Sequence, residues 1–154
     1  MISKKVLETC IEKGITIAFA ESMTGGLLTY ELVKNPGAST VVMGSVISYQ
    51  RQVKEQLLKI DPSKIDTYSV VSQEVSKQMA SGIFMQTKAD LCISITGNAG
   101  PTYEKNTNKL EAYITVLYKQ NYTNLHLEFS KNDRETNIKE SIDFIYEKVY
   151  QIIS

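Results

Sequence analysis

The stretch Ile15-Thr16-Ile17-Ala18-Phe19-Ala20, running into Glu21-Ser22-Met23-Thr24-Gly25-Gly26, decides how the chain is read. The first six residues are β-branched, aromatic or small and apolar on both alternating faces. That pattern suits a strand covered by helices on either side, as in a parallel sheet. The strand stops in a polar turn, and the paired glycines open a helix over 27–34, which ends at Asn35-Pro36-Gly37 because proline cannot continue a helix. Upstream, Ser3 is placed to cap a helix with Val6, Leu7, Cys10 and Ile11 on one stripe, and Gly14 falls where a left-handed C′ residue is wanted.

Downstream the same alternation continues. A strand is expected over 40–49, then a helix over 51–59 with Val53, Leu57 and Leu58 inward, closed by Asp61-Pro62. Ser72 is the expected cap of a helix over 73–86, with Glu74 favourably placed in its first turn. A buried strand over 90–96 gives way to Gly97-Asn98-Ala99-Gly100-Pro101, read as a loop. Strands over 111–119 and 125–129 form a hairpin joined through 120–124, and a last helix over 134–153 carries Ile138, Ile142, Ile145 and Val149 inward. The expected architecture is α/β: one domain over 1–154, a three-layer αβα sandwich around a mixed sheet.

Composition narrows the function. The 154 residues carry 17 basic and 17 acidic side chains, so no global field draws the chain to nucleic acid or to an anionic membrane. No basic stripe with interleaved aromatics suggests direct nucleic-acid contact. No apolar run reaches the length of a membrane span, and the start of the chain lacks a secretory pattern, so the cytoplasm is the expected compartment. Cys10 and Cys92 stand apart in apolar contexts and read as buried reduced thiols; no metal-ligand spacing and no cofactor motif is legible.

Two strand-ending loops invite chemistry, because ligands in open α/β sheets gather where strands meet loops and helix N-termini. They are Glu21-Ser22-Met23-Thr24-Gly25-Gly26 and Thr96-Gly97-Asn98-Ala99-Gly100-Pro101. A serine ahead of two glycines at a helix start lies near free N–H groups, which suits a nucleophile or a phosphate cradle. The alternative is that Ser22 or Thr24 only caps the helix. The single histidine, His126, lies in the hairpin away from that edge, so a Ser-His-Asp triad is not expected. Lysine or tyrosine can take over the proton, and Tyr49 and Lys54 lie just after a predicted strand.

Several strings then share one likeness. Ala20-Glu21-Ser22-Met23-Thr24-Gly25-Gly26 resembles the A-E-S-C-T-G-G signature of the CinA C-terminal domain family. Pro36-Gly37-Ala38-Ser39, Val46-Ile47-Ser48-Tyr49 with Val53-Lys54, Val70-Val71-Ser72, Ser94 through Pro101, and Asn132-Asp133-Arg134 resemble further segments of it in the same order. The resemblance implies a compact αβα domain and a nicotinamide-nucleotide amidase. Such an enzyme hydrolyses the carboxamide of nicotinamide mononucleotide to the nicotinic acid nucleotide and ammonia, without metal or cofactor, in NAD salvage. It implies Ser22 as nucleophile with Tyr49 and Lys54 handling the proton. Glu21, Thr24, Gly25, Gly26, Thr96, Gly97, Ala99, Gly100 and Arg134 are the expected substrate-binding residues. The oxyanion could be held by N–H groups from Met23 to Gly26 or by those of the second loop.

The chain also departs from the family. Met23 replaces a common cysteine, and 102–110 lacks the family's glycines and proline, so side chains such as Tyr103 or Lys109 could fill the pocket. The competing expectation is therefore a non-catalytic module with a degenerate substrate loop, binding a nucleotide or a protein partner in a competence or damage-response setting. A small-molecule nucleotide is the expected partner, and homodimerisation is compatible with so small a domain.

Overall fold

In the computed structural model, which describes residues 1–154, the strand read at 15–20 forms as β1 (Ile17–Glu21), with all five residues buried. The remaining elements are α1 (Ile2–Lys13), α2 (Leu27–Val33), β2 (Val42–Ile47), α3 (Arg51–Leu57), α4 (Pro62–Tyr68), α5 (Gln73–Thr87), β3 (Leu91–Asn98), β4 (Glu111–Tyr118), β5 (Asn121–Glu128) and α6 (Arg134–Ile153). The sheet order is β2-β1-β3-β4-β5. β1 runs parallel to β2 and β3, while β4 and β5 return antiparallel, so the sheet is mixed as expected.

Alternate residues of β1 feed two cores. Ile17 and Phe19 face α1, α2 and α6 together with Leu7, Leu28, Leu32, Ile145 and Val149. Ala18 and Ala20 face α5, among Val75, Met79, Ala80 and Ile83. Small residues on that second face let α5 approach the sheet closely, and it packs across β1, β3 and β4. The expected three layers are present. No helix is long and apolar enough to cross a membrane.

Local signals were strongest where the chain itself satisfies its backbone. Gly14 closes α1 at φ +68, and Ser72 caps α5 by accepting the Val75 N–H. Asp133 caps α6 by accepting the Thr136 N–H; that helix buries Ile142, Ile145 and Val149, with Ile138 half-buried.

Five expectations need correction. Ser3 does not cap α1; it is buried in the first turn, and its hydroxyl donates to Glu31 at 3.5 Å. Asp61-Pro62 ends one helix but also starts α4, with the Asp61 carboxylate accepting the Ser63 N–H and Pro62 at N1. In α3 the fully buried side chain is Lys54, whereas Leu57 is exposed. β3 continues through Gly97 and Asn98, paired with Ala112 and Glu111. Finally, the hairpin turn is only Lys119-Gln120, both at positive φ, as a two-residue turn of the primed type requires. The segment 121–124 looked like a loop because an edge strand can carry polar residues on its solvated face.

Two glycines are demanded by close approach rather than by turns. A Cβ on Gly97 would lie 2.3 Å from the Glu111 carbonyl oxygen and 2.6 Å from Met23 Sδ. A Cβ on Gly82 would lie 2.3 Å from the Leu58 carbonyl oxygen, so Gly82 sets how closely α5 meets the end of α3. Gly82→Ala must push these backbones apart. It should cost about 1–3 kcal/mol, or a Tm lower by roughly 5 °C in scanning calorimetry. An unchanged Tm would show that this contact does not limit the packing.

Candidate active site

Because β2, β1 and β3 are parallel, all three release the chain at one edge of the sheet, at a crevice of the kind in which α/β ligands collect. The turn after β1, the segment after β2 and the end of β3 are therefore neighbours. The first two are fastened together: the Ser48 N–H donates to the Glu21 carbonyl at 2.7 Å, and Ser48 Oγ donates to the same oxygen at 3.2 Å.

That clamp places Ser22 beside the start of α3, from which Lys54 reaches inward. Lys54 Nζ lies 2.9 Å from Ser22 Oγ, 2.5 Å from the Ser48 carbonyl oxygen and 3.4 Å from that of Tyr49. Lys54 is 2% exposed, whereas lysine ammonium groups ordinarily stay in water. Burial lowers its pKa from 10.5 to about 8, and the nearby negative charge of Glu104 opposes that shift. A neutral amine has two N–H bonds and one lone pair. With the two backbone carbonyls taking the N–H bonds, the lone pair is left for the Ser22 hydroxyl; as an ammonium, the same group donates to all three. Both protonation states are thus accommodated without rearrangement.

The turn carrying Ser22 is held from within by Glu21, which is wholly buried. Its Oε1 accepts from Thr24 Oγ1 at 2.5 Å and from the N–H groups of Gly26 and Leu28 at 3.0 and 3.1 Å. Its Oε2 accepts from the N–H and Oγ1 of Thr29 at 2.8 and 2.5 Å. The positive end of α2 is therefore occupied by this carboxylate. Gly25 donates its N–H to the Ser22 carbonyl, and both glycines sit at positive φ. Hence Glu21, Thr24, Gly25 and Gly26 shape the turn and lie outside the pocket lining, and the N–H groups of Ser22, Met23 and Thr24 are left without a protein acceptor.

The end of β3 forms the opposite wall. Asn137 Nδ2 donates to the Ala99 carbonyl at 2.9 Å and Arg134 Nη1 to the Gly100 carbonyl at 2.7 Å. With those carbonyls held, the Ala99 and Gly100 N–H groups have no acceptor in the protein. Gly97, Ala99, Gly100 and Arg134 line the pocket, but Thr96 does not: it is buried, and its hydroxyl donates to the Val70 carbonyl. The Tyr49 phenol is at the pocket too, where it accepts from Arg134 Nη2 at 2.5 Å. Its backbone carbonyl, not its hydroxyl, is the part within reach of Lys54.

The departed loop leaves the space in front of Ser22 open. Asn98, unremarked as a site residue in the sequence, fastens it: Nδ2 donates to Thr107 Oγ1 and the Lys109 carbonyl, and Oδ1 accepts the Glu104 N–H. Tyr103 forms part of the wall and Lys109 turns outward toward Glu128. What remains is a cavity of about 470 Å³ with Ser22 at its wall and Arg134 and Glu104 on its rim. Tyr103 and Glu104 were not singled out as ligand contacts, and their place in a loop was the one signal available.

Comparison with known proteins agrees with this fold. The family model of the CinA C-terminal domain matches residues 1–153. A CinA-like protein of Thermotoga neapolitana is 36% identical over 121 residues, covering 79% of this chain and 29% of that protein. A CinA-like protein of Sulfurihydrogenibium is 40% identical over 115 residues, covering 70% of this chain and again 29% of the relative. The matched region therefore covers less than a third of the length of these curated relatives. Among solved structures, a competence or damage-inducible protein from Enterobacter asburiae aligns with a TM-score of 0.95 over 99% of this chain and 96% of that one, at 20% identity. A competence/damage inducible protein from Agrobacterium tumefaciens aligns at 0.94 over 99% and 94%, at 21% identity. With the fold shared by these structures and the family matched along nearly its whole length, the chain belongs to the CinA C-terminal domain family.

Proposed function

We propose that the chain is an amidohydrolase that cleaves the carboxamide of nicotinamide mononucleotide to nicotinic acid mononucleotide and ammonia. The observation that carries this reading is the 2.9 Å contact, at the wall of an open cavity, between Ser22 Oγ and a buried Lys54 amine that has no carboxylate in salt-bridge contact. A nucleophile beside a base of depressed pKa is the arrangement acyl transfer needs. The substrate follows from the resemblance to nicotinamide-nucleotide amidases, and a cavity of this size is in the range of small-molecule sites.

In the mechanism, neutral Lys54 takes the Ser22 proton as Oγ attacks the amide carbon. Unpaired N–H groups, those of Met23 and Thr24 or those of Ala99 and Gly100, receive the oxyanion. Lys54 returns its proton to the leaving nitrogen, and ammonia departs from a Ser22 ester of the nicotinic acid nucleotide. Water, deprotonated by the same amine, then attacks the ester, releasing the carboxylate and restoring Ser22. Arg134, held by Gly100 and Tyr49, offers a fixed positive charge for the phosphate. The chemistry requires no metal.

Two measurements test this. Ser22→Ala should lower kcat by at least about two to three orders of magnitude while the mononucleotide still binds in calorimetry. Near-normal ammonia release by that variant would overturn the nucleophile, and absence of binding at millimolar ligand would favour a non-catalytic module instead. Because lysine is the base only when neutral, kcat/KM should rise with pH and level off above about 8, falling about tenfold per unit below that. Lys54→Ala should be slow and should lose this inflection; an unchanged profile would remove Lys54 from the reaction.

A further inference from the structure

The antiparallel half of the sheet gathers a second set of reactive side chains. β4 and β5 pair Glu111 with Glu128 and Tyr113 with His126. Directly opposite residues share a face of the sheet, as do residues two apart along one strand. Glu111, His126 and Glu128 therefore project from the same side at the same end. Their ligand atoms, one from each side chain, all lie within 4.8 Å of one another, with His126 Nε2 2.7 Å from Glu111 Oε1. The imidazole is oriented by stacking on Tyr113, at a centroid separation of 4.6 Å.

Glu111 is the unusual member. It is 8% exposed, and burial of a carboxylate is costly unless its oxygens are satisfied. Both protein donors that reach it, His126 Nε2 and the Tyr113 hydroxyl at 3.1 Å, go to Oε1. No protein donor reaches Oε2, which keeps access to solvent and is free to take a ligand. Glu128 is exposed, and its contact with Lys109 is a 3.7 Å pair between two side chains each more than half in solvent, which contributes little and is readily broken.

We propose that Glu111, His126 and Glu128 form a site for a divalent transition-metal ion, with Zn²⁺ the best match. One imidazole nitrogen and two carboxylate oxygens make a three-residue zinc set that leaves a position for water. Calcium and magnesium would want more oxygen ligands and no imidazole. Ligand atoms about 2.1 Å from a tetrahedral ion are roughly 3.4 Å apart, so the widest pair closes by at most about 1.4 Å while His126 Nε2 and Glu111 Oε1, at 2.7 Å, move apart by about 0.7 Å. The exposed side chains of Glu128 and His126, on an edge strand, can supply that movement without shifting the backbone. The ion would replace the hydrogen bond between His126 and Glu111 and engage the free Oε2.

The position gives the site a structural consequence. Glu111 lies across the β3–β4 ladder from Asn98, whose side chain holds the pocket loop through Thr107, Lys109 and Glu104. A metal at Glu111 anchors the end of that loop while standing apart from the Ser22–Lys54 chemistry, so the inference is independent of the amidase reading.

Titration of Zn²⁺ into the full chain by calorimetry tests it, with Co²⁺ substitution as a spectroscopic readout. The expected result is one ion per chain at a Kd of about 10 μM or tighter, and a Zn²⁺-dependent rise in Tm. His126→Ala and Glu111→Gln should each weaken binding at least about tenfold. Glu128→Gln changes an exposed side chain, folds in any case, and should also weaken it. His126 is the chain's single histidine and both cysteines are buried, so competing ligand sets are few. No binding at about 1 mM Zn²⁺, binding indifferent to Glu128→Gln and His126→Ala, or a Co²⁺ spectrum with thiolate charge-transfer bands would each overturn the proposal.

Discussion

The buried carboxylate of Glu21 is the constraint on which the candidate site rests. It has no cationic partner; instead it collects donors from the turn that follows it and from the first residues of α2. Hydrogen bonds to a charged acceptor are about twice as strong as neutral ones, and here they fold the turn around a single point. The backbone carbonyl of the same residue receives Ser48 from the neighbouring strand. One residue thus fixes the turn from inside and the adjoining strand end from outside, and Ser22 has little freedom between them.

The second cost is borne at Lys54. An amine removed from water without a carboxylate neighbour in hydrogen-bond contact destabilises the fold, and the same desolvation lowers its pKa to about 8. α3 is arranged around this exchange. It is a short helix whose buried side chain is the lysine rather than its leucine at position 57, and its end is pressed against α5 where Gly82 permits contact with the Leu58 backbone. Stability spent on the amine is offset by the two apolar cores on either face of β1, both built largely from aliphatic side chains.

The pocket loop shows how a family pattern can change without closing the site. Glycines that would allow close approach are absent from 102–110, yet the amide of Asn98 replaces their conformational freedom with explicit hydrogen bonds, and Lys109 is drawn outward. Its partner strands carry the Glu111, His126 and Glu128 cluster, in which Glu111 joins the two β5 residues only through register.

Features read correctly from the sequence were those settled within a few residues: the two-faced apolar run of β1, Gly14 and Ser72 as caps, the stripe of α6, and the serine-glycine turn at 22–26. Local propensity and periodicity suffice there because the interactions that satisfy the backbone are themselves local. Misread features depended on neighbours. β5 begins in polar residues because it is an edge, β3 runs through a glycine because β4 pairs with it, and Asp61-Pro62 serves two helices at once. The same division holds for the site. Ser22, Tyr49, Lys54 and Arg134 were legible as residue types in motifs. That Ser22 meets Lys54 across 32 residues, that Tyr49 meets Arg134 across 85, and that Glu21 turns inward were decided by strand order and burial. Those depend on long-range pairings whose loop-closure entropy is repaid only by the completed core, which no local stretch of sequence encodes.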